Sequence, residues 1–67
     1  MCRSIKQLRR PDQTPSDEEI EAAALQFVRK VSGYRVPSAT NQLVFETAVA
    51  DIAHTTRRLL DNLVVRA

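Results

Sequence analysis

The only cysteine of this chain, Cys2, directly follows the initiator methionine and is the residue with the clearest chemical potential. Removal of the methionine would leave Cys2 with both an α-amine and a thiol, whose ordinary pKa values are about 8 and about 8.5. The positive charges of Arg3 and Lys6 favour the thiolate, which makes Cys2 a candidate nucleophile or metal ligand. The alternative is that Cys2, Ile5 and Leu8 form one apolar edge, in which a cysteine is a small buried hydrophobic residue.

The only histidine, His54, is the second candidate metal ligand. Asp51 precedes it by three residues on the same side of a helix, so Cys2, His54 and Asp51 would supply at most three zinc ligands. We therefore interpret His54 as a surface or boundary residue and predict no metal, no cofactor and no catalytic residues. One glycine in the whole chain excludes a glycine-rich phosphate loop, and an enzyme is not favoured.

The first ten residues carry four positive charges and no negative one. These charges belong to Arg3, Lys6, Arg9 and Arg10. Such an arm is typical of proteins that contact nucleic acid, but four phosphate contacts would give only weak binding that salt disrupts. We favour the alternative that the arm folds back on acidic surface of its own or a partner subunit. The opposite charge is concentrated further along the chain, where residues 17–21 hold four carboxylates.

The composition is that of one small soluble domain. The 67 residues are 43% apolar and 27% charged, which is ordinary for a globular protein and too hydrophobic for a disordered one. The longest uninterrupted apolar run has four residues, which is far too short for a membrane span. No secretory signal is visible, so we expect a cytoplasmic protein.

Local signals define a first helix from about Asp17 to Ser32. Ser16 and Glu19 have the spacing of a capping box, and the acidic first turn suits the positive end of the helix dipole. Gly33 follows as the residue that ends the helix in a left-handed conformation. One apolar stripe runs along the helix at Ile20, Ala24, Phe27, Val28 and Val31.

A second, longer helix is predicted from roughly Ala39 to Val65. It follows Pro37 and Ser38, and neither proline nor glycine occurs after that point. Residues 54–56 interrupt its apolar face, so a bend there, or a split into a three-helix chain, is the alternative to the continuous helix that we favour.

The mismatch in length between the two helices predicts a dimer. A simple helical hairpin (residues 16–67) preceded by a basic arm (residues 1–15) would leave part of the apolar face of the second helix uncovered. Two hairpins related by a two-fold axis would form a four-helix bundle and cover it. The predicted interface residues are Phe45, Val49, Ile52, Leu59, Leu60 and Leu63. The alternative is that the arm covers the excess within one chain.

The sequence also shows specific local motifs. It opens with Met-Cys-Arg-x-Ile, contains Gln-Phe-Val-Arg-Lys-x-Ser-Gly at residues 26–33 and has Leu-Leu-Asp-x-Leu at residues 59–63. With these motifs, nearly the whole chain resembles a family of short bacterial proteins known only as a domain of unknown function. The resemblance agrees with the all-helical boundaries above and implies no activity, substrate or ligand.

Together these features predict an all-α homodimer that acts as a non-enzymatic protein-interaction or regulatory module, with a further, unidentified protein partner. Nucleic-acid binding through the basic arm is one alternative. Thiol chemistry or metal binding at Cys2 is the other.

Overall fold

The computed structural model describes residues 7–64 and consists of two helices packed as a hairpin. Helix α1 spans Asp17–Ser32, a short 3-10 helix spans Ala39–Asn41, and helix α2 spans Gln42–Asn62. No strand occurs within residues 7–64. The predicted helical hairpin is therefore confirmed. It forms a single layer of helices, which leaves two broad sides.

The ends of α1 are set by local chemistry, as the sequence predicts. The backbone N–H of Glu19 donates to the Ser16 hydroxyl at 3.1 Å, and the backbone N–H of Ser16 donates to the Glu19 carboxylate at 2.9 Å. This reciprocal pair satisfies N–H groups that the first helical turn leaves free. At the other end Gly33 adopts φ 79° and donates its N–H to the carbonyl of Arg29 at 3.0 Å.

Helix α2 is shorter than the predicted span of 39–65. Residues 39–41 form the 3-10 helix, in which the Asn41 backbone N–H donates to the Ser38 carbonyl at 3.0 Å. The helix ends at Asn62, and Leu63 has an extended backbone. It is continuous through residues 54–56, where the hydroxyl of Thr56 donates to the Ile52 carbonyl at 2.7 Å and satisfies its own polar group within the helix.

The core of the hairpin is narrow. Its buried apolar residues are Ile20, Ala24, Val28, Phe45 and Pro15. The three α1 residues among them are spaced four apart and form a single ridge facing α2. Phe27 and Val31 belong to the predicted stripe but lie exposed, because contact with one neighbouring helix covers only one ridge.

The segment before α1 packs at the C-terminal end of α2. Residues 9–15 line a shallow depression together with Leu60 and Leu63. A turn brings the backbone N–H of Gln13 to the carbonyl of Arg10 at 3.4 Å, and Pro15 is fully buried. This segment therefore covers part of the apolar end of α2.

Candidate protein-interaction surface

One broad side of the hairpin carries an apolar groove of about 470 Å³ between α1 and α2. We call its main lining residues the apolar face: Phe27, Val31, Tyr34, Val44, Ala48 and Ile52. Four of them are exposed to solvent, with exposed fractions of 53% for Phe27, 65% for Val31, 45% for Tyr34 and 72% for Val44. No Asp, Glu, Lys, Arg or His lines the groove.

Helix periodicity explains how these residues share one side. Val44, Ala48 and Ile52 are spaced four residues apart, so they form one row along α2. Phe27 and Val31 have the same spacing and form a row along α1. Since the two helices are neighbours in a hairpin, the two rows flank one groove.

The other side of the hairpin has a different chemistry. A groove of about 450 Å³ there contains five ionisable side chains, those of Asp17, Glu21, Glu46, His54 and Arg57. Among the apolar residues that line this groove, one is fully buried and the others are small or half-buried. The residues of α2 in this groove lie on the opposite flank of the helix from Val44 and Ala48, because each residue advances about 100° around the axis. One side of the two-helix layer is therefore apolar, and the other side carries ionisable groups.

The candidate thiol and metal residues are not brought together in the described part of the chain. Cys2 lies outside residues 7–64, and His54 lies exposed in the charged groove. Within residues 7–64 no three side chains of His, Cys, Asp or Glu are placed to hold a metal ion.

Of the four basic residues proposed to contact nucleic acid, Arg3 and Lys6 lie outside the described residues. Arg9 is exposed. Arg10 donates to the Glu19 carboxylate at 3.1 Å and to the Gln13 amide oxygen at 2.8 Å. This ion pair joins the basic segment to the acidic start of α1, as expected if the arm folds back on acidic surface of its own chain.

The same contacts perturb Glu19. The pKa of its carboxyl is lowered from the ordinary value, first because the carboxylate accepts the backbone N–H of Ser16, and then because the positive charge of Arg10 lies beside it. Glu19 thus takes part in both the helix cap and the attachment of the preceding segment.

Arg57 makes the longest-range polar contacts in the described chain. Its guanidinium donates to the carbonyl of the buried Pro15 at 3.2 Å and to the carboxylate of Asp17, and it lies 3.8 Å from Asp61. The contacts with Pro15 and Asp17 bridge 42 and 40 residues of sequence. They fasten the start of α1 to the C-terminal half of α2.

The predicted interface residues divide into three groups. Phe45 is buried within its own hairpin, so it contributes to the core more than to an exposed surface. Val49, Ile52 and Leu60 are half-buried. Leu59 and Leu63 are exposed, although Leu63 and Leu60 contact the depression formed by residues 9–15.

Sequence reasoning missed most of the apolar face. Phe27 and Val31 belong to the apolar stripe predicted for α1, and Val44 is not among the predicted interface residues. A signal was available in the run Leu43-Val44-Phe45, because three consecutive residues of a helix point in three directions about 100° apart. When one of them enters the core, the other two must face elsewhere.

The whole chain, residues 1–67, matches the family described as Uncharacterized conserved protein (DUF2277). The chain belongs to this family. No curated protein and no solved structure shows detectable similarity to it. Neither α1 nor α2, nor any other helical segment within residues 7–64, combines the length and the hydropathy that a membrane span requires. The family match confirms the resemblance to a domain of unknown function.

Proposed function

We propose that this DUF2277 protein is a small, non-enzymatic protein-interaction module that acts as a homodimer. The apolar face carries the proposal, because a single layer of two helices leaves this uncharged side open to water. Stable domains bury such a side against a second layer. A second copy of the hairpin supplies that layer and produces a four-helix bundle.

The accessible surface of the chain supports this proposal. It amounts to 6049 Å², whereas a compact monomer of the same mass exposes about 4,300 Å². The nine residues outside the described range would account for at most about 1,500 Å² of this accessible surface. The accessible surface that remains exceeds that of a compact chain of 58 residues by about 700 Å². A standard interface buries about 800 Å² on each partner. The excess is thus close to one interface per copy.

The ion pairs of the described residues favour a structural use of the charges. Arg10 joins the segment before α1 to Glu19 in the first turn of α1, and Arg57 joins α2 to Asp17 at the same end of α1.

Sedimentation equilibrium on the full chain between about 1 and 200 µM tests the proposal. We expect a mass near twice the 7.6 kDa of one chain at the upper concentrations, with reversible dissociation on dilution. A folded monomer at every concentration would refute homodimer formation.

A further inference from the structure

We propose that the second copy binds on the apolar face itself, through a two-fold contact in which Phe27 of each copy packs over Ala48 of the other. This inference rests on the proposed homodimer and adds which surface forms it. The alternative surface is the C-terminal end of α2, at Leu59 and Leu63.

The chemistry of the face fits a second copy better than a transient partner of another kind. The core of a homodimer interface is depleted in charge and more apolar than the rest of the surface. The apolar face meets this description, whereas the opposite groove holds five ionisable groups. Stacking through the apolar face leaves all five of those groups on the outside of the bundle.

The shape of the face suits a two-fold axis. A two-fold interface is self-complementary, so one patch must supply both the projecting side chain and the place that receives it. Phe27 is large and half exposed, and Ala48 in the same groove is small. An axis parallel to the helices sets α1 of one copy over α2 of the other, which brings Phe27 to the level of Ala48 and makes neighbouring helices antiparallel.

The C-terminal end of α2 is a weaker candidate because its own chain already contacts it. Residues 9–15 pack beside Leu60 and Leu63, and the Arg57 bond to the Pro15 carbonyl holds that segment in place. The apolar face has no comparable cover among residues 7–64: its most exposed residue, Val44, is 72% open.

Two adjacent residues provide a matched test. Val44 and Leu43 both lie in the first turn of α2, and their exposed fractions are 72% and 76%. Val44 lines the apolar groove, and Leu43 does not. A glutamate at either position adds the same charge to the same helical turn. It therefore affects the isolated hairpin similarly, and only at position 44 does it place a carboxylate in the proposed interface.

We expect Val44→Glu to weaken the dimer by about 30-fold or more in sedimentation equilibrium, because an unpaired carboxylate in an apolar contact is costly. Leu43→Glu should change the dissociation constant by less than about twofold, and circular dichroism should show equal helix content in both variants. Val44→Ala provides a milder truncation that should weaken the dimer several-fold.

Dilution of the wild-type chain gives a measurement that needs no variant. Backbone amide NMR signals of residues 27, 31, 44, 48 and 52 should shift most between the dimer and the monomer. A wild-type dimer that Val44→Glu leaves intact and Leu59→Glu abolishes would overturn this inference and leave the homodimer standing. A wild-type monomer at 200 µM would instead remove the proposed function.

Discussion

Among the charged side chains of the hairpin, Arg57 is the one whose removal should lower the free energy of unfolding most. Its guanidinium joins α2 to the carbonyl of Pro15 and to the carboxylate of Asp17, across 42 and 40 residues of sequence. Arg57→Met retains much of the aliphatic stem and removes the guanidinium, so it separates the polar contacts from the packing. We expect this substitution to destabilise the folded chain without changing its helices.

The magnitude follows from the exposure of the partners. Asp17 is 81% exposed, so its ion pair with Arg57 contributes about 0.2 to 1 kcal/mol. The bond to the Pro15 carbonyl is partly buried and involves a charged donor, so it contributes about 1 kcal/mol or somewhat more. The expected loss is about 1 to 2 kcal/mol, out of a total stability of about 3 to 10 kcal/mol for a chain of this length. For so small a domain this lowers Tm by about 5 to 15 °C.

Thermal unfolding followed by circular dichroism measures this loss, at one fixed chain concentration because a dimer makes Tm depend on concentration. Arg58→Met is the matched control, since it removes the same charge from the next position of the same helix. Asp17→Asn completes a double-mutant cycle and should cost less than Arg57→Met. If Arg57→Met and Arg58→Met melted at the same temperature, the contacts of Arg57 would not fasten the hairpin.

Two further predictions concern the ends of α1. The lowered pKa of Glu19 means that its charged form stabilises the fold above the ordinary value of about 4.5, and that this stability is lost as pH falls through the lowered pKa. Glu19→Gln keeps an acceptor for the helix cap but cannot ionise. The free energy of unfolding measured in urea should therefore fall less between pH 5 and 3 in this variant than in the wild type, and an effect no larger than that of Glu18→Gln would contradict this. Gly33→Ala should cost about 1 kcal/mol in urea unfolding, because φ 79° strains any residue with a Cβ although no atom lies within 4 Å of it. Gly33→Asn should cost less, and equal stability of the alanine variant would show that the left-handed conformation is unnecessary.

The bounds of α1 could be predicted because both of its ends are encoded by adjacent residues. Ser16 and Glu19 reach each other within one turn, and Gly33 ends the helix by its own backbone freedom. Signals of this kind require no knowledge of the rest of the fold.

The bounds of α2 were less predictable because no residue at either end acts so directly. Asn41 makes no side-chain bond to the helix that it precedes, and its amide donates instead to the Ser38 hydroxyl at 3.1 Å. No glycine or proline follows Asn62, so apolar periodicity alone would let the helix continue. The short 3-10 helix and the extended Leu63 have no comparable local signal in the sequence.

The candidate surface was harder still, because its position depends on which ridge of each helix meets the other. The stripe on α1 contains two ridges, one through Ala24 and Val28 and one through Phe27 and Val31. Periodicity places both on the same half of the helix and cannot tell which one α2 covers. In the structure α2 covers the first ridge, and the second becomes the edge of the exposed groove.

A second copy is therefore expected because the apolar faces of the helices are wide, and not because α2 is longer than α1. From the sequence, the extra length of α2 predicts an uncovered apolar end, but residues 9–15 pack at that end and Arg57 bonds to the Pro15 carbonyl there. The uncovered apolar surface lies near the connector instead, where Phe27, Val31 and Val44 flank one groove. Residues 9–15 do not line this groove, and each helix presents to it a second ridge that the neighbouring helix does not cover. Another layer can cover it, and a copy of the same hairpin presents a surface of matching polarity, with a large side chain beside a small one.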